Sequence, residues 1–220
     1  MSFVNFSPPW FLGYGILLEL LFFIIALTIS IFAFKVYKKT YQKRLLLFSS
    51  GFFLISLAYL VQSLFNYLAL SKLNEDICYL INIQSVAFFN FMGIIAHIFF
   101  MVLGLSVLTY LTLKVDKKRI FFLLISLPAI GLVLSKNIIS IFFMYSSLFL
   151  FFLAYHFIKN YIKKKDNKSL LVASAFSLML IANINLIFLS NNPIFYTFGH
   201  FLNLFAYLLI IWNFYLVLKR

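Results

Sequence analysis

The sequence predicts an all-α, polytopic membrane protein: one domain over residues 1–220, a bundle of seven transmembrane helices with the amino terminus outside and the carboxyl terminus inside. Three observations carry that reading. Hydrophobic residues make up 65% of the chain and charged residues only 10%, where an ordinary soluble domain carries about 25% charged. The apolar residues collect into seven runs, at about 11–36, 45–70, 84–113, 120–135, 138–162, 169–190 and 197–218. Most are long enough for a hydrocarbon core of ~30 Å, which takes about 20 residues rising ~1.5 Å each. Finally, with seven crossings, sixteen of the 18 Lys and Arg fall on one side, in clusters around Lys38, Lys117 and Lys163 and at the carboxyl end. Only Lys72 and Lys136 fall on the other. Positive residues in short loops mark the cytoplasmic side, which sets the orientation.

The first run contains FLGYGILLELLFFIIALTISIFAF, from Phe11 to Phe34, with a single acidic residue, Glu19. Counted from Phe11, Glu19 lies roughly 12 Å below the nearer interface. An ionised carboxylate there is costly and is expected to face the bundle interior or a wet cavity. Gly15, one turn closer to the surface on the same face, leaves space beside it. The segment MSFVNFSPPW lacks the basic region of a cleaved signal peptide, so the first helix is expected to be retained.

In the second run Tyr59, Gln62, Ser63 and Asn66 repeat at i, i+3, i+4 and i+7 and share one face. In the third, Asn90 and His97 are seven apart and align, with Gln84 nearer the outer mouth. The fourth, from Ile120 to Ser135, covers only ~24 Å and contains Pro128. It is counted as a crossing because a single span over 120–158 would put the clusters around Lys117 and Lys163 on opposite sides. His156, near the inner end of the fifth run beside Tyr155 and Lys159, reads as interfacial. Asn183 and Asn185 in the sixth point to roughly opposite sides, so at most one faces the interior and the other is expected to bond a neighbouring helix. His200, Asn203 and Tyr207 form a face on the seventh. Trp10, Tyr14, Tyr37, Tyr41, Tyr110 and Tyr161 fall near predicted interfaces, where amphipathic rings belong.

These polar positions lie mostly in the outer half, while the inner half is mostly Leu, Ile and Phe, with Asn213 and His156 as exceptions. The expectation is a pocket that opens outward and is closed below, with Glu19, Gln62, Asn66, Asn90, His97, His200 and Asn203 as its ligand-binding residues and no catalytic residue assigned. The competing reading is that these groups tie helices together, at ~0.6 kcal/mol per interhelical hydrogen bond. Glu19, His97 and His200 would make a three-ligand metal site only if their N and O atoms met within ~2.0–2.2 Å of one point. Metal and cofactor stay open.

Other classes are set aside. The net charge of +13 lies in clusters between apolar runs, not on a basic face for nucleic acid. Cys78 is the sole cysteine and has no intrachain partner. No internal repeat argues for a transporter of duplicated halves. Asn192–Tyr196 spells N-P-x-x-Y, but in an outer connection and not at the inner end of a last helix. No lysine lies in 198–218 for a Schiff base, and no Asp lies in any predicted helix for a metal-dependent hydrolase.

Two segments carry a resemblance. VYKKTYQKRLLLFSSGF, from Val36 to Phe52, resembles the first inner loop and second-helix start of small prokaryotic seven-helix membrane proteins and of seven-helix sensor domains. GHFLNLFAYLLI, from Gly199 to Ile210, resembles the last helix of membrane-associated sensor domains attached to bacterial kinases and cyclases. The resemblance implies a receptor-like sensor that binds a small ligand, lipid or metal. In such sensors an output domain follows the last helix; here the sequence ends at Arg220, so action through a protein partner or a second copy is expected. The alternatives are a small transporter or proton-coupled channel using Glu19, and then an intramembrane enzyme. The expected setting is the lipid bilayer of the plasma membrane, crossed many times.

Overall fold

The structure, a computed structural model, describes residues 12–73, 79–113, 117–188 and 194–218. Expectations on Trp10, Cys78, Lys114, Asn192, Pro193, Lys219 and Arg220, and on the side chains of Lys72 and Gln84, lie outside the described residues. Among the described residues there are seven α-helices and no strand: α1 (Leu12–Thr40), α2 (Lys43–Leu73), α3 (Tyr79–Leu113), α4 (Lys118–Leu134), α5 (Ile138–Lys164), α6 (Asn167–Ile187) and α7 (Ile194–Leu218). Six of them, all but α4, are long and apolar enough to cross a membrane, as an integral membrane protein requires.

The helices start and stop within a few residues of the apolar runs, and the differences have local causes. Helix α1 continues past residue 36 to Thr40, because nothing in Val36–Thr40 breaks a helix and backbone bonding is indifferent to the lipid boundary. Helix α6 begins at Asn167 and not at 169, because the Asp166 side chain caps it by accepting from the Ser169 amide. It ends at Ile187, short of 190. Two tight turns are closed by Tyr41 and Lys165, whose φ of 52° and 51° place them in the left-handed region. The amide of each bonds back to a carbonyl four residues earlier, at 2.7 Å, the usual way of ending a helix.

Helices α1 and α2 run antiparallel, with Ser30 against Ser49 and Glu19 against Asn66, and so do α3 and α4, with Ser106 against Leu124 and Tyr110 against Phe121. Helices α1, α2, α3, α5, α6 and α7 form a closed ring in that order, with α7 against α1 and α3 against α5. Helix α4 sits outside the ring on α3 and α5. The seam between α2 and α3 is made by two glycines: a Cβ on Gly104 would lie 2.9 Å from the Gly51 carbonyl oxygen and 2.8 Å from Ile55 Cγ1. Without a hydrophobic drive between helices in lipid, such small-residue approaches let backbones pack closely. Between α1 and α2, the hydroxyls of Ser30 and Ser49 each donate to the other residue's carbonyl at 2.9 Å. The centre of the ring is filled by Phe22, Ile29, Phe52, Leu105, Leu108, Leu153 and Phe176.

Helix α4 explains itself differently. It has 17 residues, about 25 Å of rise, and its outer surface is apolar and bare, Val133 being 84% and Leu134 78% exposed. Pro128 has no N–H for the Leu124 carbonyl one turn earlier, and a hydroxyl from α3 takes that place. The ring of Phe121 packs against Tyr110 of α3 at 5.4 Å, and Gly131 lies against Tyr145 of α5. At the end of the bundle that carries the basic clusters, Lys35, Lys38 and Lys159 lie over the rings of Phe32, Phe34 and Tyr155, their stems along apolar surface.

Candidate functional site

At the end of the ring away from the basic clusters, the helices part around a cavity of about 150 Å³. Its wall includes all seven residues that the sequence nominates: Glu19 from α1, Gln62 and Asn66 from α2, Asn90 and His97 from α3, and His200 and Asn203 from α7. Helical spacing brings them there, since each pair on one helix is separated by three, four or seven residues and so points one way. Helix α5 adds Ile139, Phe142 and Phe143 from its first turns, and α6 adds Asn183 and Leu186 from its last. A space of this order takes a benzene-sized molecule.

Glu19 is 3% exposed. The Nδ2 of Asn66 donates to both of its carboxylate oxygens, at 3.0 Å to Oε1 and 2.9 Å to Oε2. That contact orients the Asn66 amide, and its Oδ1 then accepts from Gln62 Nε2 at 3.3 Å. The Gln62 Oε1 at the far end of this relay is buried and has no hydrogen-bond partner among the described residues. The same holds for Asn183 Oδ1.

The two histidines do not join Glu19 in a metal site. His97 Nδ1 lies 3.2 Å from the Ala58 carbonyl of α2, an acceptor only, so Nδ1 carries the hydrogen. A file of rings separates the two imidazoles: His200 stacks on Phe22 at 6.1 Å, Phe22 meets Tyr59 at 5.2 Å, and Tyr59 meets His97 edge-on at 5.4 Å. Among the described residues no three His, Cys, Asp or Glu side chains gather as a metal site would need. Glu19, His97 and His200 thus share one cavity wall without being gathered as a three-ligand set.

Other expectations divide. Ser63 lies on the predicted stripe of α2, yet its hydroxyl turns back to the Leu60 carbonyl at 2.9 Å and it does not line the cavity. Tyr207 sits below, beside a second space of about 20 Å³ that Tyr59, Met101, Asn183 and Asn203 also border, room for one water. Beneath it Phe52, Leu105, Leu108 and Phe176 close the bundle. Asn183 is the inward member of its pair, and Asn185 donates to the Phe195 carbonyl of α7 at 2.6 Å.

The sequence reading missed Tyr196, whose ring meets His200 edge-on at 4.3 Å and which lines the cavity. Its position one turn before His200 was the available signal. Phe142 and Phe143 carried no signal, because a cavity-lining Phe and a lipid-facing Phe are the same residue to a sequence. No protein-family model matches the chain, and comparison with curated proteins and with solved structures gives no significant match.

Proposed function

We propose that this chain is a seven-span protein of the plasma membrane, amino terminus outside, that binds a small molecule in an outward-opening cavity and passes the change to a protein partner or a second copy of itself. The carrying observation is the gathering of polar side chains from α1, α2, α3, α6 and α7 on one cavity inside a mostly apolar bundle. Intramembrane polar groups are costly and mark ligand or ion pathways. Helix packing alone does not call for them to meet around a cavity.

The orientation rests on the charge asymmetry of the sequence. The seventh crossing is favoured by the course of α4 along α3, where Ser106 meets Leu124 and Tyr110 meets Phe121 as in an antiparallel pair, and by its bare apolar outer surface. Action through a partner is favoured by the connections between helices, of which even the longest, residues 188–193, cannot hold a folded output module.

A second reading, a proton-coupled transporter, is favoured by Glu19 itself, a buried carboxylate at the head of a hydrogen-bonded relay. Reconstitution separates the two. A sensor shows no solute or proton flux in proteoliposomes and co-purifies with a partner, or as more than one copy, in mild detergent. A lone monomer that carries flux lost in Glu19→Gln would replace the sensor reading with the transporter. Turnover of a substrate in detergent would replace both with an enzyme.

A further inference from the structure

We infer that the cavity takes a small organic ammonium, a protonated primary or secondary amine with an apolar body about the size of a phenyl ring. This rests on reading the cavity as a ligand site and adds the chemical class of the ligand.

Charge is the first reason. Glu19 is the one acidic residue of the wall, and none of the lining residues is Lys or Arg. A carboxylate held in a low-dielectric interior is costly to bury without a cation; the basic clusters around Lys38, Lys117 and Lys163 lie at the other end of the bundle, and Lys136, three residues before Ile139 of the wall, does not line the cavity.

The donor and acceptor count is the second. Asn66 presents its amide nitrogen to Glu19, which turns its oxygen to Gln62 and leaves Gln62 Oε1 as an acceptor at the end of the relay. Asn183, only 6% exposed, also lines the cavity, and its Oδ1 is a second buried acceptor with no hydrogen-bond partner among the described residues. A carboxylate also has lone pairs left beyond those that Asn66 meets. An R–NH3+ group brings three donors and no acceptor, which matches the acceptors of Glu19, Gln62 and Asn183 on this wall. A carboxylate or phosphate ligand would set acceptor against acceptor, and an alcohol brings one donor.

The third reason is the rest of the wall. Tyr59, Phe142, Phe143 and Tyr196 line the cavity with Ile94 and Ile98. Aromatic faces attract an ammonium, and the aliphatic groups suit a carbon body. A bare metal cation would use the same oxygens but leave this apolar space unfilled.

The test uses the full chain in lipid nanodiscs at neutral pH, titrated calorimetrically with benzylamine, cyclohexylamine, benzyl alcohol and sodium chloride. Both amines should bind, and benzyl alcohol should bind at least about tenfold more weakly, since loss of a paired ion contact of ~1.4 kcal/mol or more is a factor of ten. Glu19→Gln should remove the preference for amine over alcohol, and Asn183→Leu should reduce it. If Glu19→Gln does not fold, the wild-type preference and Asn183→Leu decide.

Equal affinity for benzylamine and benzyl alcohol, or an amine preference unchanged in both variants, overturns the ammonium while leaving a ligand cavity in place. Competition by sodium at the same concentration as the amine assigns the oxygens to an inorganic ion and also overturns it. No binding of any of the three organic probes overturns the ammonium and the ligand cavity together.

Discussion

The Ser106 hydroxyl of α3 donates at 3.2 Å to the Leu124 carbonyl of α4, the acceptor that Pro128 leaves open four residues later. A buried carbonyl without a partner is costly, so one hydroxyl both satisfies α4 and pins it to the ring. Ser106→Ala should cost about 1–3 kcal/mol, the penalty of an unsatisfied buried polar group. Pro128→Ala restores the N–H, so in the double variant the Ser106→Ala cost should fall. Equal costs of Ser106→Ala with and without Pro128, measured by thermal unfolding in detergent, would show that the bond is not what holds α4.

The Asn66–Glu19 contact should behave as a coupled pair. Asn66→Leu leaves a buried carboxylate without that donor and should destabilise the wild type by about 1–3 kcal/mol or more, and a Glu19→Leu background by less. The double-mutant cycle in unfolding free energy reads the difference, and additivity would mean that the relay is incidental.

The α2–α3 seam depends on Gly104. Gly104→Ala puts a methyl group against the Gly51 carbonyl and the Ile55 side chain, and overpacking of this kind costs about 1–3 kcal/mol. A Cβ at Gly13 would meet no atom within 4 Å, so Gly13→Ala should be neutral or stabilising by up to about 1 kcal/mol through its helix propensity. Comparing midpoints of thermal unfolding checks the pair, and a Gly104→Ala as stable as Gly13→Ala contradicts the close approach.

The start of α6 should respond to acid. Hydrogen bonding from Ser169 to the Asp166 carboxyl, first, and then the charges of Lys164 and Lys168 hold its pKa below the ordinary 3.8. For a depressed carboxyl the stabilisation is present above 3.8 and is lost as pH falls through the lower folded-state value. Amide exchange at Ser169 should therefore stay slow down to the ordinary carboxylate range and rise only below it. In Asp166→Asn, which keeps a capping oxygen but cannot titrate, the rise should be absent; a rise in both variants would assign it to another group.

Topology is tested by labelling. In a Cys78→Ser background, single cysteines at Ser7, Ser135 and Asn191 should react with an impermeant maleimide added outside intact cells, and cysteines at Thr40 and Asn167 should not. Outside labelling at Thr40 would reverse the orientation, and the absence of label at Ser135 would remove α4 as a crossing.

How far the sequence carried is clearest at single residues. Composition and run length demanded membrane helices, because a bilayer admits few alternatives to a long apolar helix. Spacing then gave each polar residue an angle and a depth on its own helix: Gln62 with Asn66, Asn90 with His97, and His200 with Asn203 all reach the cavity.

What a periodicity cannot contain is the distance between helices. That distance is decided by packing, such as the approach of Gly51 to Gly104, and it alone determined that Glu19 meets Asn66 while the rings of Phe22 and Tyr59 stand between His200 and His97. It also decided that Asn183 faces the cavity, that Ser63 turns back on its own helix, and that α4 lies outside the ring. The physical reason is that backbone geometry acts along one helix, whereas a site is made by contacts across several, and in lipid an apolar side chain reads the same whether it faces the bilayer or lines a cavity.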